Sequence, residues 1–166
     1  QRYLRSDRRR DQKRLLSMAA MNLQDKQFNT LLQRIRTDYP DIVFKSADIT
    51  FWNPKNKIIS YNPNAEEPIW SLLHEIGHME CGHAVYNFDI QLLLMEKDAW
   101  SAAKKTSAKY GIQISSDYIE DCLDSYRDWL HKRSLCPKCT QTGAQTDELV
   151  YYCVNCRHQW KVSISR

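Results

Sequence analysis

The sequence predicts an α+β chain: a small antiparallel sheet packed on a helix that carries an HExxH motif and on a second helix that carries a further carboxylate donor, with a small cysteine-based unit behind them. Three observations carry that expectation. Short runs rich in β-branched and aromatic residues cluster between Ile42 and Tyr61, with the turn sequence Asn53-Pro54-Lys55-Asn56 between the last two. Stretches with apolar residues at three- and four-residue intervals follow, each bounded by capping or breaking residues. From Ser134 the character changes to two Cys-x-x-Cys pairs around a polar loop.

Taken in order, the first element is a helix from Asp11 to Tyr39. Leu15, Leu16, Met18, Leu23, Leu31, Leu32 and Ile35 fall on one stripe, with a weak point near Asn22 and Pro40 as the stop. Ile42-Val43-Phe44 and Asp48-Ile49-Thr50-Phe51-Trp52 then read as strands, and Lys57-Ile58-Ile59-Ser60-Tyr61 returns along the second of them as a hairpin. The next helix includes Pro68 in its first turn, where a missing N–H costs nothing, and ends where Gly82 can take a left-handed backbone. Leu72, Leu73, Ile76 and Met79 form its apolar stripe, which places the histidines near the margin of a core. A third helix runs from about Asp89, as N-cap, to Tyr110, with Gly111 after it. A fourth runs from Ser115 or Ser116 to about Lys132, with Glu120 placed to help cap it and Ile119, Cys122, Leu123, Tyr126, Trp129 and Leu130 on its apolar face.

Composition bounds the rest. With 166 residues and 42% hydrophobic content, the chain can build one core of ordinary size, read as a domain over 1–133 with a basic N-terminal helix, plus a module over 134–166. The net charge of +4 is modest, yet Arg2, Arg5, Arg8, Arg9, Arg10, Lys13 and Arg14 all precede Leu15. Such a run is most commonly a solvated helix end or flexible arm, and otherwise a surface for phosphates or an anionic membrane. No apolar run approaches the roughly eighteen residues of a membrane span, and charge interrupts the first residues where a secretory hydrophobic region would lie. The expectation is a cytoplasmic protein with no membrane partner. Six cysteines in that setting favour thiols and metal over disulfides.

The chemistry centres on His74-Glu75-Ile76-Gly77-His78. On a helix His74 and His78 project one turn apart from the same face, so two imidazoles can hold one metal ion while Glu75 lies beside it. The motif arises by chance on ordinary helices, but the apolar stripe and helix signals around it favour the metal reading. A hydrolytic zinc site needs two neutral nitrogens, a third protein ligand, an open position for water and a carboxylate to take that water's proton. Glu75 is the one residue of the motif suited to the last task. For the third ligand Glu96 is best placed, on a helix face shared with Ala99, Trp100 and Ala103, whose small alanines let two helices approach. Asp98 points elsewhere and Glu80 faces away. His83 falls one position short of the three-histidine pattern HExxHxxGxxH, since Cys81 and Ala84 occupy its glycine and histidine positions. A supporting contact to the site, a substrate contact or a plain loop role suits His83 better. Cys81 receives no role, and Cys122 reads as a small core residue. His83, Tyr86 and Tyr110 are candidate donors to an oxyanion. An edge strand above the motif helix can pair with an extended peptide, which makes polypeptide the expected substrate class; the alternative is a sheet that only covers the helix.

The segment from His74 to His83, followed by Glu96-Lys97-Asp98-Ala99-Trp100-Ser101-Ala102-Ala103, resembles the gluzincin zinc peptidases of the ImmA/IrrE type. Over Ile49 to Ala103 that resemblance implies a zincin-like minigluzincin core: a small sheet, a zinc helix and a glutamate-bearing helix. It implies His74, His78 and Glu96 as ligands of a catalytic zinc and Glu75 as general base, in a regulatory protease. Trp100 and Ser101 depart from the residues common there.

Cys136-Pro137-Lys138-Cys139 and Cys153-Val154-Asn155-Cys156, with a hairpin between them, resemble a zinc ribbon. Four thiolates at this spacing imply one structural zinc, without which so short a segment hardly folds. Arg157, His158, Trp160 and Lys161 combine cations with an aromatic ring, as nucleic-acid surfaces do, whereas Trp160 can equally pack against Trp129 or complete the module's core. A structural or partner-docking role is favoured narrowly over nucleic-acid binding. Two rival readings follow: a SprT-like DNA-associated protease, disfavoured because no histidine lies between His83 and His131, and a nucleic-acid-binding or scaffold protein with a non-catalytic metal site.

Overall fold

A computed structural model describes residues 25–163. The basic run before Leu15 and the first part of the predicted N-terminal helix lie outside the described residues. Helix α1 covers 25–38 and is followed by strands β1 (Val43–Ser46), β2 (Phe51–Asn53) and β3 (Ile58–Tyr61). Helices α2 (Pro68–Glu80), α3 (Asp89–Lys109) and α4 (Ser116–Ser134) come next, then strands β4 (Ala144–Asp147), β5 (Val150–Tyr152) and β6 (Gln159–Lys161). The architecture is α+β. No helix among the described residues is long and apolar enough to cross a membrane.

The first sheet has the order β1-β3-β2. The predicted hairpin forms, with β2 antiparallel to β3, Trp52 opposite Ile59 and Asn53 opposite Ile58. Strand β1, expected in an antiparallel sheet, instead joins the far side of β3 in parallel. The reason is the segment from Ala47 to Thr50, which reverses the chain without making a tight hairpin, so β3 takes the central place and β2 is left as an edge. Ile59, on that central strand, is fully buried.

The core forms where α1, the sheet and α2 meet. Phe28, Leu31, Leu32 and Ile35 of α1 pack towards Phe44, Ile59 and Tyr61, and Leu72, Leu73 and Ile76 of α2 are completely enclosed. Burying each such aliphatic side chain contributes about 1.5–3 kcal/mol. That makes the apolar face of α2 the fixed reference for the polar residues on its margin.

The α3 N-terminus departs from expectation in an instructive way. Asp89 is not the N-cap; Phe88 is, and Gln91 Oε1 accepts from the backbone N–H of Phe88 at 3.1 Å and of Asn87 at 2.9 Å. Asp89 is nearly fully buried and binds three other elements. Its Oδ2 accepts from Arg133 Nε of α4 at 2.7 Å and from Tyr151 O–H of β5 at 2.7 Å, while its N–H donates to Gln145 Oε1 of β4. At α4 the expected Ser115 cap is present, accepting from the Tyr118 N–H.

The second sheet has the order β4-β5-β6, antiparallel throughout. Trp160 stacks on Tyr151 with ring centroids 5.5 Å apart and donates from Nε1 to the Arg133 carbonyl at 3.1 Å. A side chain at Gly143 would collide with the Trp160 ring, so Gly143 leaves room for it. Trp129 is covered instead by the Arg133 guanidinium, 4.5 Å above its ring.

Replacing Asp89 with Ala leaves the Arg133 charge enclosed without a counter-ion. The expected cost is about 3–5 kcal/mol in chemical denaturation, as for other broken buried pairs. Tyr151→Phe, which removes one donor and leaves the ion pair, is expected to cost about 1–3 kcal/mol.

Candidate metal centre

Helix periodicity puts His74 and His78 on one edge of α2, and α3 crosses against that edge. The approach is set by Gly77, one residue before His78. A Cβ there would overlap the Ala99 carbonyl oxygen of α3 and lie 2.9 Å from its carbonyl carbon. Ala99 and Ala103 are fully buried at this contact. Backbone thus packs on backbone, and Glu96, one turn before Ala99 on α3, is delivered to the two histidines.

His74 Nε2 lies 3.0 Å from Glu96 Oε2, His78 Nε2 lies 3.4 Å from Glu96 Oε1, and the two Nε2 atoms are 3.1 Å apart. One ligand atom from each residue falls within 4.8 Å of the others, a group that could bind a metal ion. His74 and Glu96 are buried and His78 is half-buried. The donor chemistry fits a divalent first-row ion, for which imidazole nitrogen and carboxylate oxygen are common ligands.

Protonation agrees with that fit. Burial pushes the His74 ring below its ordinary value, against the opposing pull of Glu96, which favours the neutral imidazole that a metal ion requires. Burial acts on the Glu96 carboxyl in the raising direction, but hydrogen bonds from His74 and His78 outweigh it and hold the group at about 2, ionised. Trp100 stacks on His74 at a centroid distance of 4.1 Å and fixes the ring plane. His74 Nδ1 is buried without a hydrogen-bond partner, so its Nε2 makes that ring's contacts with the cluster.

Glu75 does not join the cluster. Its Oε2 accepts from the Trp52 backbone N–H of edge strand β2 at 2.8 Å. Burial raises its carboxyl to about 7, with His78 and the Trp52 N–H pulling the other way. A carboxylate at this poise can exchange a proton near neutral pH.

Two cavities flank the cluster and share Thr50, His74, Glu75, Glu96 and Tyr126 in their walls. One, of about 370 Å³, extends past Phe51, Trp52, Leu92 and Met95; the other, of about 270 Å³, extends past Ser71, Trp100 and Tyr118. The remaining residues weighed in the sequence separate cleanly. Glu80 faces away, accepting from Tyr39 O–H and Thr106 O–H, and Asp98 is exposed. His83 and Tyr86 line the larger cavity, and His83 Nδ1 lies 2.9 Å from His78 Nδ1. Tyr110 lies elsewhere, donating to Asp38 Oδ2 at 2.7 Å. Cys81 is exposed, and Cys122 packs at the core while lining the smaller cavity.

Tyr126 and the Trp52 amide were not legible as site groups. Tyr126 is visible in the sequence as part of the α4 apolar face, but which neighbour that face meets is a tertiary matter. The Trp52 contribution is a backbone N–H and leaves no residue signal at all.

Cys136, Cys139, Cys153 and Cys156 form the second cluster, with Cys136 and Cys156 sulfurs 3.6 Å apart and Cys139 and Cys153 sulfurs 3.5 Å apart. The two Cys-x-x-Cys turns repeat one backbone pattern. Cys136 N donates to Gln141 O as Cys153 N does to His158 O, and Thr140 N donates to Cys136 O as Arg157 N does to Cys153 O. Thr140 and Arg157 both adopt positive φ, 60° and 61°, which closes each turn so that its two thiols face inward. Hydrogen bonds from the Gln141 N–H and the Asn155 amide favour the thiolate at Cys139, whereas at Cys156 the His158 N–H is outweighed by burial and the neighbouring thiols, so the first negative charge of the group lies on Cys139. Comparison with family models, curated proteins and solved structures finds no match to this chain.

Gly77→Ala should force α2 and α3 apart and remove Glu96 from the histidines. Metal titration is expected to show the loss of one site per chain with the cysteine site retained, together with a stability loss of about 1–3 kcal/mol from overpacking.

Proposed function

We propose that the chain is a zinc-dependent metalloendopeptidase of gluzincin type, with His74, His78 and Glu96 as ligands of a catalytic zinc and Glu75 as general base. The observation that supports it is the convergence of these three donors beside the half-buried Glu75 carboxylate, which stays out of the cluster yet lines both flanking cavities. Zinc, when bound, supplies a Lewis acid that polarises a carbonyl and acidifies water. Glu75, steadied by the Trp52 amide, takes the proton of the attacking water and returns it to the leaving amine. Tyr126 and Thr50, which line both cavities, would supply hydroxyl donors to the oxyanion, with Tyr86 in one of them. The two cavities that share these walls would take an extended polypeptide cut internally.

In this reading 1–133 is the catalytic unit and 134–166 a zinc ribbon with a structural ion, working in a reducing, cytoplasmic setting. Trp160 spends its ring on Tyr151 and its N–H on Arg133, which favours docking of a protein partner by the ribbon over base stacking. A nucleic-acid-binding scaffold with an inert metal site is the rival class; it has no use for a base poised near neutrality beside the ligands.

Glu96→Ala is expected to lower zinc content from two ions per chain to about one, read by elemental analysis of the purified protein. Glu75→Gln should keep both ions and lose about 10²- to 10⁴-fold in cleavage of an unfolded protein substrate. Because Glu75 must be ionised to accept the proton, wild-type kcat/KM should rise with pH, its acid limb falling between the ordinary 4.5 and about 7. Wild-type zinc protein that cleaves no polypeptide would defeat the reading.

A further inference from the structure

The end of α2 is built to bring one more histidine to the site. Cys81 ends the helix, Gly82 takes φ 68°, and two backbone bonds close the turn: Gly82 N to Met79 O at 3.0 Å and His83 N to His78 O at 3.0 Å. This is the paired closure in which the second residue past the cap folds back over the third residue before it. Such turns commonly press two apolar side chains together at those positions. Here the pair is His83 and His78.

The rings meet with Nδ1 of each 2.9 Å apart and centroids separated by 5.0 Å. The other nitrogen of His78, Nε2, faces His74 and Glu96. With Nε2 used as a lone-pair donor to metal, a neutral His78 carries its proton on Nδ1, and His83 Nδ1 is the acceptor for it. His83 itself is fixed from two sides, by its N–H to the His78 carbonyl and by the Trp52 indole, whose Nε1 donates to the His83 carbonyl at 3.2 Å. His74 has no comparable tether, since its Nδ1 is buried without a partner.

We infer that His83 is a positioning residue: it sets the ring orientation and tautomer of His78 and thereby strengthens metal binding at the His74, His78 and Glu96 cluster. The inference rests on the metal-binding part of the proposed function and is independent of peptide hydrolysis. Metal ligands whose second nitrogen is hydrogen-bonded typically lose roughly 10- to 100-fold in affinity when that partner is removed.

The test is zinc affinity, measured on the full chain by competition with a chromogenic chelator, with the cysteine cluster as internal reference. His83→Phe keeps a ring in the turn but offers no acceptor, and is expected to weaken the histidine site by roughly 10- to 100-fold while the reference site is unchanged. His83→Asn places an amide oxygen where Nδ1 stood and should recover most of the affinity. Wild-type affinity in His83→Phe overturns the inference, as does a His83→Asn variant as weak as His83→Phe. X-ray absorption at the zinc edge that requires a third imidazole at this site also overturns it, because His83 would then be a ligand itself. A protein that binds zinc in this pattern but cleaves no polypeptide would defeat the proposed function and leave the His83 assignment standing.

Discussion

The contact on which the site depends is the meeting of two backbones at Gly77 and Ala99. Helices that touch through larger side chains sit farther apart, at the usual separation of about 8–10 Å. A wider spacing would draw the Glu96 carboxylate back from the two histidines. Absence of a side chain at Gly77 removes that spacing, and the buried alanines at 99 and 103 keep it removed. The fully enclosed Leu72, Leu73 and Ile76 hold the opposite face of α2, so the polar edge has little freedom to turn away.

Around that contact the fold applies two further restraints. Edge strand β2 uses its Trp52 twice, the backbone N–H on Glu75 and the indole N–H on the His83 carbonyl, so the sheet locates the carboxylate beside the cluster and the turn after it. At its N-terminal end α3 is anchored by Asp89 to Arg133 and to Tyr151 of the cysteine-bearing sheet. Glu96 is seven residues, about two turns, along the same helix from that anchor. The second sheet therefore braces the element that carries the third donor, which gives the cysteine cluster a mechanical link to the histidine cluster.

Much of the candidate site was legible before any coordinates. His74 and His78 follow from helical spacing, Glu96 from its face with Ala99 and Ala103, and the four cysteines from the repeat of their spacing. The hairpin between β2 and β3 was legible from its turn residues. The parallel placement of β1 was not, because strand order depends on how a loop crosses the sheet end and short runs of β-formers carry no record of it. Asp89 misled for a related reason: an aspartate before a helical run suits an N-cap locally, and only a buried arginine and tyrosine from distant segments made a better partner.

What the sequence determined alone are the features set by local periodicity and ligand chemistry: which residues form helices, which donors share a helix face, and that two groups of metal-type ligands exist. Tertiary structure decided which faces meet. It brought Glu96 onto the histidines, kept Glu75 apart on the Trp52 amide, set Tyr126 in the cleft wall and moved Tyr110 out of it. The division has a physical cause. Side-chain direction along one helix is fixed by its own backbone geometry, whereas the distance between two helices is fixed by packing at residues such as Gly77, which bear no chemistry of the site.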